Sequence, residues 1–132
     1  MARRRKYVEF EDDDGTLLRY VRHPNGGGLV ASTAVVHPSA WVAPSAYVDP
    51  GARVGAHARL DIGAWVERGA VVAADATIGA QTRIGVRAVV GRGARVRDNA
   101  AVMAGVRVAD HQVIGPDTVL TPQEAPTVST AA

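Results

Sequence analysis

The sequence predicts an all-β fold in which one chain winds into a parallel β-helix of about five triangular coils, each of 18 residues. Three observations predict it. A branched aliphatic residue recurs at every sixth position, a small residue recurs two positions before it, and turn-forming residues recur in between. Repeats with a fixed period are typical of architectures in which similar units stack to bury one continuous core.

The branched aliphatic column runs from Val30 to Leu120 without insertion or deletion. All 16 positions hold Val, Leu or Ile, although these types fill only 30 of the 132 positions in the chain. Chance does not produce such a column, so the register of the repeat is fixed. Its members are Val30, Val36, Val42, Val48, Val54, Leu60, Val66, Val72, Ile78, Ile84, Val90, Val96, Val102, Val108, Ile114 and Leu120.

The small-residue column runs from Ala34 to Thr118, and 11 of its 15 positions are alanine. Residues two apart on a strand share a face. Each unit is therefore expected to bury one large and one small side chain, with the residue between them pointing outward. Val106, Gln112 and Thr118 replace alanine near the end, which predicts a wider last coil and a need for a partner if Gln112 is buried.

The third column predicts the corners. Five of the seven prolines share one phase, and 10 of the 14 residues that follow this phase, from Ser39 to Asp117, are Gly, Asn, Asp or Ser. Proline followed by such a residue is typical of a type II turn, whose third residue needs a positive φ. Three of these corners close one triangular coil.

The segment before the repeat is predicted to cover one end of the stack, where bare strand edges would invite aggregation. Strands over residues 6–10 and 16–21 should join through an acidic Asp-Gly turn and form a hairpin. The apolar side of this hairpin is expected to consist of Val8, Phe10, Leu18 and Tyr20.

The chain thus divides into three predicted segments. Residues 1–28 form the hairpin cap, which ends in a flexible connection at three consecutive glycines, Gly26 to Gly28. Residues 29–120 form the β-helix. Residues 121–132 are polar and are expected to be a disordered tail.

Composition narrows the functional classes. The chain has no cysteine, which excludes disulfides and thiolate metal sites, and its net charge is only +2. Six arginines lie between Arg83 and Arg107 against one acid, Asp98, and a solvated face explains them better than nucleic-acid binding. No apolar run could span a membrane, and the basic start is followed by acids rather than by an apolar signal segment, so a cytoplasmic location is expected.

Outward residues recur every 18 positions and therefore define three faces. Because rows of exposed aromatic and aliphatic side chains usually meet a partner, we expect a homo-oligomer joined through the first or the second face. Arginines next to aromatic residues in a row are expected to stack on them. The first face reads Tyr47, Trp65, Arg83, Ala101 and Val119; the second Val35, Arg53, Val71, Val89 and Arg107; the third Trp41, Arg59, Thr77, Arg95 and Val113.

The stretch HPSAWVAPSAYVDPGARVG, residues 37–55, resembles the opening coils of bacterial acyltransferases of the hexapeptide-repeat superfamily. The resemblance covers residues 30–120. It implies a left-handed parallel β-helix, a trimer, and, in an enzyme, acetyl-CoA or another acyl-CoA held in the groove between subunits.

The resemblance also implies candidate site residues. Acyltransferases of this kind use a histidine as general base, and His57 shares a corner column with Asp75 of the next coil, which could orient the imidazole and raise its basicity. The alternative is that both are simply polar residues at turns. The phosphates of an acyl-CoA would meet Arg83, Arg87, Arg95 or Arg107.

A metal site is not predicted. The β-helix carbonic anhydrases bind zinc through two histidines five apart and a third on a neighbouring coil, and zinc needs at least three converging protein ligands. The four histidines of this chain include no such pair, and His37 is interpreted as a turn residue. They are His23, His37, His57 and His111.

Three functional hypotheses remain open. The leading one is a non-catalytic β-helix that self-associates through its flat faces, needs no cofactor and serves as a scaffold or as an interaction module for another protein. The alternative is a small acyltransferase that uses acetyl-CoA or another acyl-CoA. The third is a stiff structural piece of a phage or a cell surface.

Overall fold

The computed structural model describes residues 7–122, and these form only strands and turns, wound into a parallel β-solenoid of about five coils. The predicted fold class is confirmed. The largest sheet has eight strands, in the spatial order β1-β2-β3-β6-β9-β12-β15-β18. They are β1 (Tyr7–Glu11), β2 (Leu17–Arg22), β3 (Leu29–Ala31), β6 (Tyr47–Val48), β9 (Trp65–Val66), β12 (Arg83–Ile84), β15 (Ala101–Val102) and β18 (Val119–Leu120).

Two five-stranded parallel sheets complete the prism, and their membership matches the predicted second and third faces. The second face contains β4 (Val35–Val36), β7 (Arg53–Val54), β10 (Val71–Val72), β13 (Val89–Val90) and β16 (Arg107–Val108). The third face contains β5 (Trp41–Val42), β8 (Arg59–Leu60), β11 (Thr77–Ile78), β14 (Arg95–Val96) and β17 (Val113–Ile114). Every coil therefore contributes one short strand of two or three residues to each face.

The two inward columns fill the solenoid as the sequence predicts. Every inward position from Ala40 to Val108 is at most 4% exposed. Coils are joined by backbone hydrogen bonds along the stack, for example from Val71 N to Ala88 O at 2.9 Å. Thr82 is the one polar residue inside this range, and its hydroxyl donates to the Arg97 carbonyl at 2.8 Å. The stack thus combines a narrow aliphatic core with regular backbone hydrogen bonds between coils.

The corners adopt the conformation that the turn column predicts. Thirteen of the 14 residues in that column have φ between 58° and 76°; Ser39 is the exception. Eight of the thirteen are not glycine, among them His57, Asp75 and Arg87. The left-handed conformation is unfavourable for residues with a Cβ, so stacking of the coils holds these corners in place.

The N-terminal hairpin is confirmed, and each of its two strands begins and ends one residue later than predicted. β1 pairs antiparallel with β2, and β2 pairs antiparallel with β3, so the hairpin extends the first face beyond the first coil. Tyr20 is buried at its centre with Leu29 and Ala31, and Val8 and Leu18 pack against this cluster. Phe10 contacts the Tyr20 ring edge-on but remains 40% exposed.

The glycine connection is packed, which corrects the prediction of a flexible segment. Gly28 N donates to Val42 O at 2.9 Å, and Val42 N donates to Asn25 O at 3.0 Å, so this loop covers the edge strand β5. A Cβ on Gly26 or Gly28 would overlap Val42. Glycine is required here because two backbones lie in direct contact, rather than because the chain needs freedom.

At the other end, the expectation for Gln112 changes. Gln112 is exposed although it stands in the inward column, and its side-chain oxygen accepts the backbone N–H of Ala109 at 2.9 Å. It therefore satisfies a backbone donor of the last coil. The predicted tail lies outside the described residues from position 123 onward.

Candidate functional site

The predicted pair His57 and Asp75 stands where the register requires, at the same corner of two successive coils. Both residues are exposed. Within residues 7–122, no hydrogen bond or ion pair joins their side chains. Their backbone N–H groups donate instead to neighbouring residues, His57 N to Ser39 Oγ and Asp75 N to Ala56 O, each at 2.9 Å. The two side chains are neighbours without forming a bonded pair, so their catalytic role stays a prediction.

Two other histidines, His23 and His37, make hydrogen bonds within the fold. The ring of His23 is buried and lies 2.9 Å from the Ala40 carbonyl, at the capped end of the stack. His37 Nδ1 accepts the N–H of Ser39 at 3.1 Å, which confirms its interpretation as a turn residue. In the described part of the chain, no group of three metal-ligating side chains converges.

The four arginines proposed for phosphate binding are spread around the prism. Arg83 belongs to the first face, Arg107 to the second and Arg95 to the third, while Arg87 occupies a corner above Gly69. Arg83 is already engaged, because its Nε donates to Glu67 at 2.6 Å. One subunit therefore does not gather these four side chains around a single ligand.

Stacking of arginine on tryptophan is confirmed on two faces. The guanidinium carbon of Arg59 lies 4.2 Å from the Trp41 ring centre, and that of Arg83 lies 4.9 Å from the Trp65 ring centre. In each pair the two residues are directly opposite in adjacent parallel strands. Both tryptophan rings thus offer a face on which the chain itself places a cation.

The described residues form an aromatic groove that the sequence did not reveal. It has a volume of about 480 Å³ and lies on the first face, where the hairpin meets the first three coils. We call it the first-face groove. Its lining consists of Phe10, Tyr20, Ser45, Tyr47, Asp49, Gly63 and Trp65.

The rings of the first-face groove follow the strand order of the sheet. Phe10 and Tyr20 meet edge-to-face with centres 5.2 Å apart, and Tyr20 and Tyr47 do so at 6.3 Å. Tyr47 and Trp65 are paired in register on β6 and β9. Tyr20 forms the buried floor, whereas Phe10, Tyr47 and Trp65 stay 37–41% exposed and form the walls.

Asp49 is the polar centre of the groove. Its Oδ1 accepts the Tyr20 hydroxyl at 2.9 Å, and its Oδ2 accepts the Trp65 indole N–H at 2.8 Å. Both donors are neutral, and Asp49 forms no ion pair with any residue of the described range. A half-buried carboxylate thus lies among aromatic rings without a counter-charge.

Tyr20 responds to this environment. Burial raises the pKa of the Tyr20 phenol far above its usual range, and the hydrogen bond to Asp49 and the charge of that carboxylate add to the increase. Arg68 opposes the increase, but it also pairs with Asp12 at 3.6 Å. Burial is thus the main cause of the shift, and the Asp49 carboxylate adds to it.

The first-face groove was missed because its residues do not share a repeat column. Tyr47 and Trp65 were recognised as a row, but Asp49 belongs to a corner and Tyr20 to the cap. The available signal in the sequence was Asp49, which follows Tyr47 by two positions. The antiparallel hairpin adds the rings of Phe10 and Tyr20 next to this part of the row.

No protein-family model matches this chain, and no curated protein matches it. Among solved structures, it is similar to the acetyltransferase domain of PglB from Neisseria gonorrhoeae in complex with acetyl coenzyme A. The two are 23% identical over 70% of this chain and 55% of that chain, with a TM-score of 0.43.

Two further solved structures are similar. A variant of GDP-perosamine N-acetyltransferase from Caulobacter crescentus, in complex with CoA and GDP-perosamine, is 23% identical over 69% of this chain and 49% of that chain, with a TM-score of 0.34. A putative acetyltransferase from Bacillus cereus is 18% identical over 73% and 80%, with a TM-score of 0.28.

This chain spans about half the length of the Neisseria and Caulobacter proteins. The activities in those names are properties of those proteins. No helix among residues 7–122 has the length and hydropathy to cross a membrane. The assignment of this chain to the hexapeptide-repeat β-solenoid fold rests on its own columns and coils.

Proposed function

We propose that this hexapeptide-repeat β-solenoid is a self-associating scaffold, a homotrimer whose subunits meet through the second face. The observation that carries the proposal is an aliphatic surface on that face. Val71 and Val89 are paired in register, and Val86 and Met103, on the adjoining corner, are 40% and 44% exposed. We call these four residues the second-face patch.

The surroundings of the second-face patch support an interface. Arg53 and Arg107 are paired in register on either side of the two valines, and neither forms an ion pair within the described chain. An apolar centre with a charged rim is the usual anatomy of a protein interface. Closed cyclic symmetry lets one such patch be used by every subunit, and the resemblance to trimeric β-helix proteins favours three.

The test is the mass in solution. Light scattering should return three times the chain mass of 13.8 kDa. Val89→Asp places a charge in the apolar centre and should reduce the mass to that of one chain. Val113→Asp is the matched control, because Val113 is an exposed valine on the third face, and it should leave the mass unchanged. A single-chain mass for the unaltered protein overturns the proposal.

Acyl transfer is the second candidate. It is supported by the resemblance of residues 37–55 to bacterial acyltransferases and by the exposed, unbonded side chains of His57 and Asp75. Neither the imidazole of His57 nor the carboxylate of Asp75 hydrogen-bonds to another described residue, so both are free to act on a ligand. Under this candidate an acyl-CoA binds between subunits, and Arg83, Arg87, Arg95 or Arg107 from neighbouring copies contact its phosphates.

Coenzyme A itself distinguishes the candidates. A ligand that binds only the folded state stabilises it, by about 2.7 kcal/mol at one hundred times its dissociation constant. Acyl transfer predicts that CoA raises the melting temperature of the assembled protein, and that this rise is lost in Val89→Asp. His57→Ala should retain the rise and lose transfer, whereas His111→Ala should retain both. An unchanged melting temperature at high concentrations of CoA would exclude acyl transfer, and only the scaffold proposal would remain.

Three properties remain proposals. The chain is expected to act in the cytoplasm, to bind another protein as a partner, and not to bind nucleic acid. Its arginines lie on separate faces rather than along one basic groove, which supports the last expectation.

A further inference from the structure

The first-face groove has a feature that self-association does not use. Its walls and floor are four aromatic rings, from Phe10, Tyr20, Tyr47 and Trp65, and its only charged lining residue is Asp49. Aromatic side chains that surround a pocket with a carboxylate attract cations, because the ring faces and the carboxylate are all electron-rich. We propose that the first-face groove binds a small organic cation, with a quaternary ammonium group against the rings and Asp49 as its counter-charge.

The charges around the groove favour a cation over a neutral or anionic occupant. Two ion pairs flank it, Arg83 with Glu67 at 2.6 Å and Arg68 with Asp12 at 3.6 Å, and each is balanced. Asp49 therefore remains as one uncompensated negative charge. A half-buried charge without an opposite charge beside it is unfavourable even when it is hydrogen-bonded, and a bound cation relieves that cost.

The hydrogen bonds of Asp49 prepare the site. The Tyr20 hydroxyl and the Trp65 indole N–H each use one lone pair of a different carboxylate oxygen, so they fix the orientation of the group and leave acceptor capacity on both atoms. They also fix the angle of two rings. The groove is thus organised before a ligand arrives, which lowers the entropy lost on binding.

Trp65 itself shows that its ring accepts a cation. Arg83 lies 4.9 Å from the ring centre, and yet the Trp65 side chain stays 41% exposed, so part of its surface is open toward the groove. Tyr47 and Phe10 are exposed to a similar degree. An alkylammonium group fits such a site better than a metal ion does, because apolar methyl groups contact the rings while the charge faces Asp49.

The probe is choline, and its neutral isostere, 3,3-dimethyl-1-butanol, has the same shape without the charge. The two indole N–H signals in a ¹H–¹⁵N spectrum report the result, since Trp65 lines the groove and Trp41 lies on another face. Choline should shift the Trp65 signal saturably and leave the Trp41 signal unmoved. The isostere should bind at least tenfold more weakly, a difference of about 1.4 kcal/mol.

Two pairs of variants sharpen the test. Asp49→Asn removes the charge but keeps an acceptor, and it should weaken choline binding at least tenfold. Asp61→Asn is the matched control, because Asp61 holds the same position in the repeat at another corner and should bind choline normally. If Asp49→Asn loses the cap, Tyr47→Leu, which disturbs no hydrogen bond, should still weaken binding several-fold.

Three results would overturn the proposal. One is the absence of a saturable Trp65 shift. Another is equal binding of choline and the isostere, which would make the groove a site for neutral apolar groups. The third is normal choline binding by Asp49→Asn in a folded protein.

Discussion

The middle coils and the capped end of this solenoid differ in how their side chains pack. In the middle, from Val54 to Val102, each six-residue unit buries one branched and one small side chain, and Thr82 is the only polar residue among them. At the capped end, a second cluster around Tyr20 joins residues far apart in the sequence and leaves an aromatic groove beside Asp49.

The contrast shows how a regular repeat acquires a specific surface. Similar units stack by themselves and give three nearly uniform faces, because each outward residue lies beside its equivalents 18 positions away. A cap that pairs antiparallel with the first coil breaks this symmetry on one face. The groove therefore lies at the junction, where β2 and β3 bring Tyr20 next to Tyr47.

The largest effect is expected from overfilling a middle coil. Ala70→Leu adds three carbons at a position with no exposed surface, in a core that has no space to give. Destabilisation of about 3 kcal/mol or more is expected, enough to prevent folding of a marginally stable domain. Ala101→Leu is the control on an outward position and should change the unfolding free energy by less than about 0.5 kcal/mol. Chemical denaturation measures both, and similar stability of the two variants would mean that the inward column is misassigned.

A smaller effect is expected where the cap meets the first coil. Gly28→Ala would drive a Cβ into Val42 and should cost about 2 kcal/mol, because backbone atoms of both segments must move apart. The control is Gly115→Ala, where the nearest atom to a new Cβ is Thr118 Oγ1 at 3.7 Å and the change should stay below about 1 kcal/mol. Unchanged stability of Gly28→Ala would show that the connection is loose after all.

Alkaline pH should weaken the capped end before the middle coils. The folded-state pKa of Tyr20 is raised above its unfolded value of about 10. Above that pH the unfolded chain loses the phenolic proton while the folded chain keeps it, so stability is fully present below pH 10 and falls as pH rises further. The melting temperature should therefore decline above pH 10, and Tyr20→Phe should reduce the slope of this decline.

Tyr47→Phe serves as the comparison, since the Tyr47 side chain is exposed, and it should change the slope much less than Tyr20→Phe does. Absorbance of ionised tyrosine gives an independent reading. One of the three tyrosines should resist ionisation until the protein unfolds. Complete ionisation of all three near pH 10 in the folded protein would contradict the burial of Tyr20.

The smallest effect concerns the corners, which are alike along the whole stack. His57 adopts φ of 60°, a conformation that costs about 1–2 kcal/mol for a residue with a Cβ, while glycine loses about 0.5–1 kcal/mol more backbone entropy on folding. His57→Gly should therefore stabilise the protein by about 0.5 kcal/mol. Ser39→Gly should instead destabilise it by about 1 kcal/mol, because Ser39 lacks the positive φ and its hydroxyl accepts the His57 N–H. Equal changes in the two variants would contradict this account of the corners.

Much of the fold was predictable because stacking repeats the same local environment. The period of six gave the register of all three faces, the two inward columns and the positive φ of the corners. The packed role of Gly26 and Gly28 was not predictable, since it depends on contact with Val42. The hydrogen bond between Gln112 and Ala109 N was not predicted, because the six-residue period assigns Gln112 to the interior and does not account for the end of the stack.

The candidate site was less predictable from the sequence than the fold was. His57 and Asp75 were placed correctly in neighbouring coils, but the sequence contains no information on whether their side chains meet. The groove needs residues of the cap, two coils and one corner at once, and no column contains them. Long-range pairing of the hairpin with the first coil created this proximity.

Light scattering and a choline titration of the Trp65 indole signal, both carried out on Val89→Asp, test most directly whether the second-face patch and the first-face groove act independently. The mass is expected to fall to that of one chain, while choline still shifts the Trp65 indole signal with unchanged affinity. Loss of the shift together with the assembly would contradict the account, because the first-face groove would then belong to the contact between subunits.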